Sequence, residues 1–288
     1  MGLTFRDGIH ITSVDYFIQQ TISSTPDPGV RPFYRGIGRH QDTTNPSVFR
    51  TEARRNNEKV MYDQLLAMHP ADFADDVTTL DRLVRMQHHG LPTRLLDITS
   101  NPLIALYFAA QVANRNNPGE VDGEVLVFEV HERNVKFPDS DRASVVANLA
   151  RLTPEEHAEL ATLIAATPGR LDDEDRKPVR KLLHFIRQEK PYFVANIVTS
   201  HISSIMVVRG KQSNPRIVAQ SGAFLLFGDD ANFAMDPKGE GIHKKTMTIP
   251  AAAKPAIRHQ LDRLNINEST VYPSLEHSAK YLSDRFAT

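Results

Sequence analysis

Apolar residues recur at helical spacing over 13–23, where Val14, Phe17, Ile18 and Ile22 share a face and Ser13 stands in capping position. The Thr25-Pro26-Asp27-Pro28-Gly29 stretch ends that helix. A short strand is predicted over 30–36, running into Phe33-Tyr34-Arg35-Gly36, followed by a loop through Pro46. Helices are predicted over 52–68 and 73–87, the second with Val77, Leu80, Leu83 and Val84 on one face. Asn101-Pro102 opens the next helix, with Thr99 or Ser100 as its expected N-cap. From 103 to 113 that helix is apolar nearly all round, so it is expected to be buried, with Tyr107 and Phe108 in the core.

Valine-rich alternation predicts a strand over 123–130, and 143–186 reads as mostly helical, with Asp172-Asp173-Glu174-Asp175 as a solvated helix start. Further strands are predicted over 204–209, 216–219, 223–227 and 246–250, and helices over 254–264 and 277–286. No internal repeat or low-complexity linker interrupts the pattern. The expected architecture is a mixed α+β domain with an inserted helical subdomain.

A chain of 288 residues is long enough to bury a full core, as one large domain or two small ones. The formal net charge of −1 advertises no polyanionic partner, so any nucleic-acid contact has to come from a local patch. The absence of cysteine excludes disulfides, thiolate zinc sites and thiol nucleophiles. Charge at Arg6 interrupts the first residues where a signal peptide needs an apolar run, and a myristoylation motif wants Ser or Thr at that position. With no apolar run able to cross a bilayer, a cytoplasmic location and no membrane partner are expected.

Polar groups crowd the segment from Gln87 to Ser100, just ahead of the apolar helix: two imidazoles, the Arg94 guanidinium, the Asp97 carboxylate and several hydroxyls. Each costs free energy unless it finds a partner, so the segment points to a shaped polar pocket. Phe33-Tyr34-Arg35-Gly36, Gln87-His88-His89-Gly90-Leu91-Pro92-Thr93-Arg94-Leu95-Leu96-Asp97-Ile98-Thr99, the run from Asn101-Pro102 to Phe108-Ala109, and Gln220-Ser221-Gly222-Ala223-Phe224 together resemble an FRG domain. The resemblance covers roughly 30–228, with the helical stretch at about 140–190 as an insertion. It implies an N-terminal lead-in over 1–29, an FRG domain within 30–250 and a helical tail over 251–288. It also implies a bacterial or phage protein of the toxin or defence kind.

Arg35, then Ile98-Thr99-Ser100 with Ala105-Leu106-Tyr107-Phe108-Ala109, is similar to the first two elements of toxin-type ADP-ribosyltransferases. That second resemblance implies a mixed β core of that fold. It also implies transfer of ADP-ribose from NAD to a macromolecule, with an antitoxin protein as a possible partner; the local basic residues put RNA ahead of protein as the acceptor. In this reading Tyr34, Arg35, Gly36, Arg94, Thr99 and Ser100 bind the NAD, and Arg35, His89, Thr99 and Gln220 carry the reaction. An arginine fork suits a pyrophosphate, and glycine lets the backbone approach a ligand. The third element departs from the pattern, because Gln220 stands where those enzymes carry glutamate. Glutamine accepts hydrogen bonds but supplies no negative charge, which leaves Glu189, Glu240, Asp97 and Glu276 as candidate acids.

Each of these residues also has a purely structural use. Arg35 can pair with Asp97, Asp97 can anchor the turn over 90–94, and Thr93 and Arg94 can bracket it. His88 and His89 are adjacent and point apart, with no acid at metalloprotease spacing, so no metal is expected. Arg31, Arg35, Arg39, His40, Arg50, Arg54, Arg55 and Lys59, with Arg82, Arg85, His88, His89 and Arg94, would form a phosphate-binding rim or a salt-bridged helix face. Two rival functions follow: a non-catalytic module that binds a nucleotide or nucleic acid, and a metal-free ribonuclease.

Overall fold

A computed structural model of the chain describes residues 8–23, 27–39, 44–112, 121–172, 174–211, 215–231 and 242–287. Among the described residues ten strands run in chain order: β1 (Ile9–His10), β2 (Val30–Ile37), β3 (Leu95–Thr99), β4 (Gly123–His131), β5 (Val135–Lys136), β6 (Arg170–Leu171), β7 (Ile197–Val198), β8 (Ile205–Val208), β9 (Gly222–Phe227) and β10 (Ile242–Ile249). Eight form one mixed sheet in the order β1-β10-β4-β2-β3-β9-β8-β5, and β6 and β7 pair separately. The fold class is α+β, as the sequence predicts.

The helices are α1 (Val14–Ser23), α2 (Glu52–Asn56), α3 (Glu58–Met68), α4 (Thr79–His88), α5 (Pro102–Ala109), α6 (Asp141–Asn148), α7 (Pro154–Ala166), α8 (Lys177–Glu189), α9 (Thr199–Ile202), α10 (Pro215–Ala219), α11 (Lys254–Arg263), α12 (Glu268–Val271) and α13 (Leu275–Phe286). Several expectations need correction. The helix predicted over 73–87 starts only at Thr79, where Thr78 and Asp81 form a reciprocal capping box, and Val77 is left in solvent. Asn57 divides the predicted 52–68 helix in two. The strand predicted over 216–219 is the helix α10, opened by Pro215, with Ile217 buried and Val218 exposed. The acidic stretch precedes α8 rather than starting it: Arg176 occupies the cap position, and Glu174 reaches back to Arg187. Asp173 lies outside the described residues.

Strand register places two apolar clusters on one face of the sheet. Over β10-β4-β2, Tyr34, Val125, Val127 and Met247 pack with α1, α5 and α11. Over β3-β9-β8, Leu95, Met206, Phe224 and Leu226 pack with α4, α6 and α8. Helices α6 to α8, from the inserted helical stretch, share a core with the sheet. On the other face, Phe33, Phe128 and Val130 from one half join Leu96, Val207 and Phe227 from the other in a single cluster.

The two halves of the sheet meet at the β2–β3 junction. These strands pair at one position only, Tyr34 with Thr99, whereas β2 is paired with β4 along its whole length. Beyond Tyr34 the two strands diverge, and the ladder is replaced by a side chain: Arg35 Nη1 donates to the Asp97 carbonyl at 2.7 Å. Helix α5 crosses β2 beside this junction at a distance that glycine alone permits. A Cβ at Gly36 would lie 1.8 Å from the Ala105 carbonyl oxygen, and one at Gly123 would lie 2.2 Å from that of Ala109.

Candidate functional site

The divergence of β2 and β3 opens a cavity of about 200 Å³ on the face where the two clusters meet. Tyr34, Arg35 and Gly36 come to it from β2, Asp97 and Thr99 from β3, Ile104 and Phe108 from α5, and Arg216 and Gln220 from α10 and the turn after it. Five of the eight residues proposed from sequence thus meet at one place: Tyr34, Arg35, Gly36, Thr99 and Gln220. His89, Arg94 and Ser100 do not line it.

Thr99 is buried and its hydroxyl is fully engaged. It donates to the Gln220 carbonyl at 2.6 Å and accepts from the Asn101 N–H at 2.9 Å. It does not cap α5; the Asn101 side chain does, by accepting from the Leu103 N–H at 3.0 Å. Ser100 is exposed and donates to the Ser221 carbonyl. Through these bonds the end of β3, the start of α5 and the turn before β9 form one rigid corner. The side chain of Gln220 points its Nε2 to the Val271 carbonyl, 3.1 Å away. Burial, and next the charge of Glu129, push the Tyr34 phenol up to about 12, so it stays protonated at neutral pH.

Asp97 is the acid that the fold brings to this cavity. It is exposed, and Gln87 Nε2 donates to its Oδ2 at 2.9 Å. The orientation of that amide is itself set, because the Thr93 hydroxyl accepts from the Leu95 N–H and donates to Gln87 Oε1 at 2.7 Å. Thr93 and Gln87 therefore hold the Asp97 carboxylate through a two-step relay. Glu189 is engaged elsewhere, by Asn148, Ser144 and the Thr79 N–H. Glu276 lies in the first turn of α13, and Glu240 lies outside the described residues.

Arg94 belongs to the scaffold. Its side chain has no solvent exposure; Nε and Nη2 bind the Glu58 carboxylate at 2.9 and 2.6 Å, and Nη1 reaches the Phe227 carbonyl and Asp229. Burial opposes its charge, but Glu58 and Asp229 outweigh that and raise its pKa. His157 Nδ1 lies 2.6 Å from the far oxygen of Asp229, joining α7 to the end of β9. The Asp229 pKa is lowered: burial works against ionisation, and the His157 hydrogen bond and the Arg94 charge exceed it. A depressed carboxylate stabilises the fold above its unfolded pKa of about 4 and loses that contribution as pH falls through the folded value. Urea midpoints at pH 6 and pH 3 are expected to fall more for the unaltered chain than for Asp229→Asn. Equal falls would show that Asp229 does not carry the acid sensitivity.

His89 is exposed at the end of α4, where its backbone N–H closes the helix. His88 faces a separate cavity with Asp76, Arg85 and Lys211. The proposed basic rim is dispersed: Arg31 pairs with Glu132, Arg55 with Asp230, Lys59 with Asp63 and Arg85 with Asp76. His40 lies outside the described residues. Sequence reasoning missed Arg216, whose segment reads as strand, and the part of Phe108, which is half-buried and lines the cavity rather than filling the core.

Among the described residues no helix is long and apolar enough to cross a membrane, and no three His, Cys, Asp or Glu side chains are placed to hold a metal ion. Residues 31–118 match the FRG domain. The chain therefore carries an FRG domain, and the match contains β2 from Arg31 onward, the Gln87 to Thr99 segment and α5. Gln220 and Arg216 lie outside the matched residues and reach the cavity through the fold. No curated protein and no solved structure matched the chain.

Proposed function

We propose that the cavity holds the nicotinamide-ribose end of NAD and that the protein transfers ADP-ribose to a macromolecule. The observation that carries this reading is the carboxylate of Asp97 standing in one cavity with Arg35 and Gln220. About 200 Å³ is below the ~300–1,000 Å³ of drug-sized ligand pockets, which suits one end of a dinucleotide with the remainder lying outside. Arg35 binds phosphate oxygens by charge-assisted hydrogen bonds, and Gln220 Oε1 accepts from a ribose hydroxyl.

In the transfer the bond from ribose C1 to the nicotinamide nitrogen breaks, and nicotinamide leaves with the electron pair. The Asp97 carboxylate steadies the positive charge left on the ribose. An oxygen or nitrogen of the acceptor then bonds to C1, and Asp97 takes its proton. Asp97 supplies the charge that Gln220 lacks. RNA and protein both remain acceptors in this reading; the ion pairs of Arg31, Arg55, Lys59 and Arg85 weaken the charge argument that favoured RNA. A toxin or defence effector of this kind would have an antitoxin that covers the cavity.

Purified protein with labelled NAD, total RNA and total cell protein tests the reading by nicotinamide release and label transfer. Asp97→Asn is expected to lower both by about a hundredfold, the scale for removing one transition-state charge partner. Undiminished release would refute the role of Asp97. Binding of NAD without release, in the unaltered chain, would favour a non-catalytic module, a reading that the engaged side chains of Thr99 and Gln220 support. Degradation of RNA with no NAD present would favour a ribonuclease.

A further inference from the structure

We infer that Arg216, held in place by Tyr272, is the second cationic arm of this cavity, so that the C-terminal segment is part of a site for a diphosphate-bearing ligand. The inference rests on the nucleotide reading of the cavity and specifies how its phosphates are held. Arg35 and Arg216 approach from opposite sides of β3: one lies on β2, and the other on α10, which packs against β9. With Asp97 the only acid lining the cavity among the described residues, the formal charge of the lining is positive. Two separated guanidinium groups match two adjoining phosphates better than they match a single anion.

The orientation of Arg216 comes from the tail. Its Cζ lies 4.8 Å from the centroid of the Tyr272 ring, within cation–π range. That ring is fixed in turn: His277 stacks on it at 4.7 Å and 17°, and Phe108, itself a cavity residue, meets it edge-on at 6.1 Å and 84°. One residue earlier, the Val271 carbonyl accepts from Gln220 Nε2. Residues 271 and 272 thus contact three side chains that line the cavity, from α5, α10 and the turn after α10. An ordinary surface helix has no need to engage a single cavity in this way. Tyr272 acts through Arg216 and is a positioning residue.

The test is calorimetric binding of ADP to the full chain at several salt concentrations. Arg216→Ala is expected to weaken ADP binding about tenfold, as loss of a charged hydrogen bond does, and to flatten its salt dependence. Tyr272→Leu is expected to reproduce both changes, Tyr272→Phe to bind as the unaltered chain, and the Arg216→Ala/Tyr272→Leu double variant to be no weaker than Arg216→Ala alone. If the Tyr272→Leu loss adds to that of Arg216→Ala, or leaves the salt dependence intact, Tyr272 is a structural prop and the inference fails. If Arg35→Ala weakens ADP binding while Arg216→Ala does not, the inference fails and the nucleotide reading survives. No ADP binding by the unaltered chain would overturn the inference, and no binding of NAD either would overturn the nucleotide reading with it.

Discussion

Gly36→Ala is expected to abolish cooperative folding or to lower the unfolding midpoint steeply. The new Cβ would stand 1.8 Å from the Ala105 carbonyl oxygen and 2.7 Å from the Ala109 nitrogen, both backbone atoms of α5. Overpacking a core with a flexible neighbour costs about 1–3 kcal/mol. Here the neighbour is a helix pinned at its start by Asn101 and Pro102, and Lys254 Nζ, which is buried, donates to the Gln111 carbonyl just past its end. The helix has to lift from the sheet as a unit, exposing Ala105, Leu106 and Ala109, all of which are fully buried. Gly38 provides the control. A Cβ there would meet the Gln111 carbonyl oxygen at 3.3 Å, so Gly38→Ala is expected to cost far less. Thermal and urea unfolding of the two variants checks the comparison, and equal midpoints would show that α5 yields easily. Because α5 also forms one wall of the cavity, a Gly36→Ala chain that did fold would be expected to lose ligand binding as well.

That close approach bears on how far the sequence can be read. Gly36 stands out as a place for a ligand, yet its first use is to admit a helix; a one-dimensional pattern marks the absence of a side chain but not what occupies the space. The local rules served well where a signal was local. Helix α1 with Ser13 before it, the proline start of α5, the valine-rich β4 and the tail helices fall where periodicity puts them. They failed where a short apolar run was ambiguous. Arg216 to Ala219 carries the composition of a strand, and Pro215 together with packing of Ile217 under the sheet makes it helix. The cavity itself depends on the missing β2–β3 ladder, a relation between residues some 60 positions apart. Motif order could group Arg35, Thr99 and Gln220, but nothing in it says that Thr99 spends its hydroxyl on Gln220 and Asn101. The charge of a residue is equally mute about its partner. Arg35 and Arg94 look alike in sequence, and one lines the cavity while the other is sealed inside the protein.

For Arg94 the consequence is a large loss of stability and no direct effect on the site. Arg94→Ala leaves Glu58, which is itself buried, without its two short guanidinium bonds, and it strips Asp229 and the Phe227 carbonyl of a donor. Removing one partner of a buried pair costs about 3–5 kcal/mol, because the remaining charge stays out of water unpaired. Replacing both charges by apolar groups of similar volume avoids that penalty at Glu58, so Arg94→Met with Glu58→Met is expected to recover part of the loss, Asp229 keeping its His157 partner. The network joins α3, β3, the end of β9 and, through His157, α7, so its failure loosens the seam between the sheet and its helical layer. The separation of roles follows from geometry, since Arg94 lies outside the cavity lining. The Arg94→Met/Glu58→Met chain, measured below its unfolding midpoint, is therefore expected to bind ADP and release nicotinamide per folded molecule as the unaltered chain does. A refolded double variant of normal stability that had lost ADP binding would place Arg94 back among the ligand contacts.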